Sequence, residues 1–201
     1  MGEQTGRVRL DGPVQDVAQS LLGCTIEAAG VRVRLTEIEA YAGEGEDPGS
    51  HAHRGRTPRS EIMFGPPGRL YVYFSYGMHW CANVVTGPDG RASAVLLRGG
   101  EVVQGLEFAR VRRPGAIDRD LCRGPARLAR ALNLDGAVLG VDLLAPTSPV
   151  RLGDRAGPVG PVATGPRVGV SGAGAATAWR FWLEGEPTVS PYRAAVRKVR
   201  P

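Results

Sequence analysis

Lysine is almost missing from this chain: the 25 basic residues include a single lysine, Lys198, and 24 arginines. Chemistry that begins with a lysine Schiff base therefore has almost no amine to draw on. Cysteine is scarce as well. Cys24, Cys81 and Cys122 are odd in number and widely scattered, which excludes a disulfide framework and offers no zinc-ligand spacing. They are expected to be buried, reduced thiols, and no metal site is expected. No apolar run approaches the roughly 20 residues that span a bilayer, so no membrane partner is expected. The first ten residues lack the charged-then-apolar pattern of a secretory leader, which argues for a cytoplasmic protein. Internal repeats are absent.

What is present is an ordinary globular composition. With 42% hydrophobic and 22% charged residues over 201 positions, the chain can bury one substantial core, and a single domain over 1–201 is expected. The net charge of +5 and a pI near 9.6 make a polyanion a natural partner. Planar guanidinium forks suit phosphate oxygens, although a preference for arginine over lysine can also reflect genome composition.

Along the chain, Val14–Leu22 reads as a short amphipathic helix stopped by Gly23. Val31–Tyr41 alternates as a half-buried strand, with Val33 and Leu35 on the apolar face and Glu37, Glu39 and Tyr41 continuing that parity. Residues 42–68 form a long loop rich in Gly, Pro and charge. Leu70–Ser75 and Met78–Val85 predict a hairpin with Tyr76-Gly77 at its tip, and Ala92–Arg98 a third strand. Gln104–Arg113 reads as helical, and Gly124-Pro125 opens another helix, with Arg127 and Arg130 on its polar side. The stretch 145–166 is a flexible Gly/Pro-rich loop by composition, while Arg167–Val170 and Trp179–Glu184 read as closing strands. The fold class expected is mixed α+β: a curved antiparallel sheet flanked by helices, with a protruding hairpin.

Glu39 is the most informative residue. A carboxylate on the apolar parity of a strand loses hydration, which raises its pKa toward the range useful for a general base. Tyr41, two residues on, shares its face and sets a π-surface beside it. Taken alone, Glu37 and Glu39 fit equally well a structural pair at a strand end. Their separation also falls within the broad range of glycoside-hydrolase carboxylates, though the basic balance speaks against a carbohydrate substrate. Tyr76, at a tight tip, is shaped to wedge into a base stack, and Tyr73 has the opposite parity and points back toward a pocket. Tyr71 reads as packing. His51 is a loop histidine of the kind that is usually incidental. A purely binding, non-enzymatic nucleic-acid module would leave Glu39 without a task.

These residues carry a resemblance that runs almost end to end. The chain resembles the 3-methyladenine DNA glycosylases of the alkyladenine type in Glu39-Ala40-Tyr41, in the His51 to Arg59 loop, and in Met63-Phe64 with Pro67-Gly68. The likeness extends through Leu70–Tyr73, the Tyr76-Gly77-Met78 tip, Asn83, Val95–Arg98, Gly124-Pro125, Arg167–Val170 and Trp179–Phe181. Ser60 stands where that pattern has asparagine, and Ala178 where it has proline. The resemblance implies a monomeric hydrolase without cofactor that excises damaged purines from double-stranded DNA. It further implies that Glu39 activates water held with Arg98, that Tyr41, His51 and Tyr73 line a base pocket, and that Asn83 crowds the exocyclic amine of normal guanine. Tyr76, with Gly77, Met78 and Arg59, would engage the DNA.

Overall fold

Two eleven-residue strands form the spine of the molecule. In the computed structural model, which describes residues 8–155 and 157–195, β2 (Val31–Tyr41) pairs along its length with β5 (Ala94–Gln104). β3 (Leu70–Ser75) and β4 (His79–Val85) continue the sheet beyond β5. On the other edge, β1 (Thr25–Ala28) pairs with the first half of β2, and β6 (Val150–Gly153) pairs in turn with β1. β8 (Arg180–Leu183) pairs with the second half of β2, at Glu37–Glu39, and β7 (Val162–Gly165) closes on β8. All pairings are antiparallel, and the eight strands curl into an open half-barrel. Among the described residues three short α-helices accompany the sheet: α1 (Val14–Leu21), α2 (Leu106–Arg112) and α3 (Pro125–Ala131).

The main apolar core lies between the helices and one face of the sheet. Val14, Val17, Ala18 and Leu21 of α1 recur at helical spacing and bury against Val33, Leu35, Ile38 and Leu97. α1 ends at Leu21, one residue short of the expected span, because Gly23 turns the chain at φ 82°. A second, smaller cluster of Ala52, Met63, Phe64, Tyr71 and Val85 lies on the opposite face, roofed by the 42–68 loop. Ser60 organises that loop, accepting from Thr57 N at 2.9 Å and donating to Gly55 O at 3.1 Å. Among the described residues no helix is long and apolar enough to cross a membrane.

The sequence reading needs correction at five places. Val33 and Leu35 face the helices, but so do Ile38 and Ala40, so the alternation reverses between them. The cause is an irregularity in register: Leu35 pairs with Gly100 and Glu37 with Gly99, which leaves Thr36 as an extra residue. Glu37, Glu39 and Tyr41 therefore turn away from the helix-side core, contrary to the expected common parity. β5 runs on through Gly99 and Gly100 to Gln104, and the following helix starts only at Leu106. Met78 belongs to the turn and β4 starts at His79. Arg167–Val170 is a turn, the strand being Val162–Gly165 just before it. Segment 145–166, expected as a loop, carries β6 and β7.

Candidate active site

On the sheet face away from the main apolar core, the molecule opens as a cleft of about 830 Å³. It gathers side chains from β2, the 42–68 loop, the β3–β4 hairpin, β5 and the 168–171 turn. Nine of the ten residues singled out in the sequence line it: Glu39, Tyr41, His51, Arg59, Tyr73, Tyr76, Gly77, Asn83 and Arg98. Met78 lies outside it, exposed on the hairpin.

Glu39 is wholly buried on the cleft side of β2. Its Oε1 accepts from the Val168 backbone N–H at 2.6 Å, while Oε2 accepts from the Tyr41 hydroxyl at 2.9 Å and from Arg98 Nη1 at 3.4 Å. A carboxylate offers about four acceptor positions, so room for one further donor remains. Burial pushes the Glu39 carboxyl above the usual range, with Arg98, the Val168 N–H and Tyr41 pulling it back. The result is a dehydrated but well-oriented proton acceptor. Burial and the neighbouring Glu39 charge push the Tyr41 hydroxyl upward, so it stays protonated and donates.

The aromatic wall is rigid. His51 Nδ1 shares a 2.9 Å hydrogen bond with the Tyr71 hydroxyl, and its ring meets Tyr73 edge-on at 4.7 Å. Burial and the Arg59 charge lower the His51 pKa to about 4, so the imidazole is neutral at neutral pH. Arg59 lies 5.0 Å from the centre of the Tyr73 ring. Asn83 Nδ2 donates to Tyr71 O at 3.0 Å, which fixes the amide in the cleft floor. At the hairpin tip, Tyr76 (φ 51°) and Gly77 (φ 65°) both adopt left-handed conformations, and the Tyr76 ring is 87% exposed. Such a side chain projects from the surface rather than packing within the molecule.

Four features were not read from the sequence. Tyr71 does pack in the smaller cluster, as expected, but its hydroxyl also anchors His51. The Val168 N–H is a backbone group, so no residue type announces it. Glu37 is held by Arg98, Arg180 and Ser190 and does not line the cleft, which removes the paired-carboxylate glycosidase arrangement. Arg167 is fully buried, bidentate to Asp47, and its guanidinium lies 4.6 Å from the centre of the Tyr41 ring. It thereby ties the pocket loop to the turn that carries Val168. The only hint of this was the Arg167–Val170 signature. Among the described residues no group of three His, Cys, Asp or Glu side chains is arranged to hold a metal ion.

Residues 9–187 match the model of the family described as methylpurine-DNA glycosylase (MPG). A protein of Streptomyces avermitilis is 54% identical over 195 residues, covering 94% of this chain and 91% of its own. One of Leifsonia xyli is 55% identical over 206 residues, covering 94% and 93%. A third, of Mycobacterium tuberculosis, is 49% identical over 185 residues, covering 90% of each. All three carry the name "Putative 3-methyladenine DNA glycosylase".

Proposed function

The chain belongs to the methylpurine-DNA glycosylase family, hydrolases that cleave N-glycosyl bonds in DNA, and from that premise we propose a base-flipping, water-using mechanism for it. The substrates are alkylated or deaminated purines in duplex DNA: 3-methyladenine, 7-methylguanine, hypoxanthine and ethenoadenine. The observation that carries the reading is Glu39, wholly buried beside a cleft with aromatic walls and with one acceptor position unfilled.

The damaged nucleotide swings out of the stack, and its base enters between Tyr41, His51 and Tyr73. Tyr76 fills the gap left in the duplex, with Gly77 and Met78 giving the tip its shape and Arg59 offering a cation at the mouth. Alkylation makes a purine electron-poor, so its bond to C1′ ionises readily toward an oxocarbenium-like sugar. Glu39 takes a proton from water on the face opposite the departing base, and Arg98 helps hold that water. Asn83 disfavours the exocyclic amine of normal guanine. Neutral His51 adds no charge that would repel a cationic base. The product is an abasic site with both strands intact. No lyase step follows: a Schiff base needs an amine, the chain has a single lysine, and among the described residues none that lines the cleft offers one. The enzyme acts as a monomer on intracellular DNA and uses no cofactor.

Incubation with alkylated duplex DNA tests this directly. Chromatography is expected to detect free methylpurines, and strand breaks to arise only after alkali. Absence of purine release would refute the reading, and a borohydride-trapped protein–DNA adduct would refute its monofunctional part. Tyr76→Ser is expected to weaken capture of the everted state, read as a smaller fluorescence change with an ethenoadenine duplex. A change equal to that of the unmodified enzyme would remove Tyr76 as the wedge.

A further inference from the structure

Glu37 lies two residues from the proposed base, is fully buried, and is not part of the cleft wall. Burying a carboxylate is costly unless every acceptor position finds a donor. Here Oε1 accepts from Arg98 Nε at 3.1 Å, Arg180 Nε at 2.7 Å and Ser190 Oγ at 2.9 Å, and Oε2 accepts from Ser190 N at 2.7 Å. Gly99, its partner on β5, leaves space for this carboxylate: a Cβ there would come within 3.0 Å of Glu37 Oε2. Arg98, the next residue back, is itself unpaired between Gly99 and Leu97 in the β2 register. All three of its guanidinium nitrogens are engaged. Nε goes to Glu37, Nη2 to Ser190 Oγ at 3.2 Å, and Nη1 to Glu39 at 3.4 Å, the longest of the three.

We infer that Glu37 is a positioning residue for water activation: with Ser190 it turns the Arg98 guanidinium so that only Nη1 reaches Glu39, and this keeps the base free to accept a proton. The inference rests on Glu39 being the base, as proposed above. A guanidinium released from Glu37 closes on a carboxylate with two parallel hydrogen bonds. On Glu39 such a fork would occupy the position left for water and hold the anion too tightly for it to take a proton. Loss of the Glu37 charge acts in the same direction, since a neighbouring anion favours the protonated form of Glu39. Arg180, which donates to both Glu37 and Ser190 O, keeps the holder itself in place.

A carboxyl-carbon NMR titration of glutamate-labelled protein, with Glu39 assigned through its Gln variant, tests this without requiring turnover. In Glu37→Gln the Glu39 midpoint is expected to fall by about one pH unit. Ser190→Ala, which releases one side of Arg98 while keeping the Ser190 N–H on Glu37, is expected to lower it by less. Excision by Glu37→Gln is expected to drop by about tenfold in kcat, with little change in KM and with the acid limb moved the same way as the midpoint. An unmoved or raised Glu39 midpoint in folded Glu37→Gln would overturn the inference. If that variant does not fold, an unmoved midpoint in Ser190→Ala overturns it equally. A wild-type protein that released no purine while its Glu39 midpoint still followed Glu37 would refute the proposed activity and leave the positioning relation standing.

Discussion

Glu39→Gln is expected to reduce excision of methylated purines by about 100- to 10,000-fold while binding to the same duplex persists. The amide cannot take a proton from water, and it carries no charge to steady the developing cation on the sugar. Arg98 keeps Glu37 as its counter-ion, so the variant is expected to fold. The unmodified enzyme adds a pH signature. Burial raises the folded Glu39 pKa, and the base works only when ionised, so activity is lost as the pH falls through a value above the ordinary glutamate value of about 4.3. The acid limb of kcat/KM therefore belongs at higher pH than an exposed carboxylate would place it. His51, with its pKa near 4, is still neutral where that limb begins. A variant excising at the wild-type rate, or an acid limb at or below the ordinary value, would exclude Glu39 as the base.

Asp47→Ala is expected to cost about 3–5 kcal/mol of folding stability, because it strands a guanidinium in the interior. Arg167 is fully buried, and Asp47 provides its only carboxylate among the described residues, meeting Nη2 at 2.7 Å. For a domain of this size the loss corresponds to a fall on the order of ten degrees in Tm. The pair joins the pocket loop to the turn whose Val168 N–H donates to Glu39, so excision is also expected to fall, with the greater part of the loss in kcat. Calorimetry of the single variant, and of an Asp47→Leu, Arg167→Met double variant, checks this. The double variant is expected to recover most of the stability and little of the activity. A Tm for Asp47→Ala within a degree of wild type would refute the account.

Much of this organisation was legible from residues alone. Val31–Tyr41 and Leu70–Ser75 were bounded to the residue, because period-two alternation and aromatic, β-branched composition are local signals. Gly124-Pro125 marked the entry to α3 for an equally local reason: proline's fixed φ suits the first helical position. Nine of the ten singled-out residues converge on one cleft. The errors share a different origin. Gly99-Gly100 reads as a break, yet the strand continues through it, because the space left by the missing side chains is filled by Glu37 and by the closely approaching β2 backbone. β6 and β7 were missed because four-residue strands with weak patterns are stabilised by β1 and β8, partners remote in the chain.

By itself, the sequence determined the long strands, the three helices, the tyrosine-tipped hairpin and the basic character, since each depends on the chemistry of near neighbours. Only the tertiary structure decided which face Glu39 occupies, because alternation cannot register the extra residue at Thr36 that appears when β2 pairs with β5. It alone separated the surroundings of two glutamates that the alternation had left equivalent. Donors from β5, β8 and the Ser190 segment surround Glu37, whereas the Val168 N–H and the open cleft meet Glu39, and those encounters between distant parts of the chain exist only once it is folded.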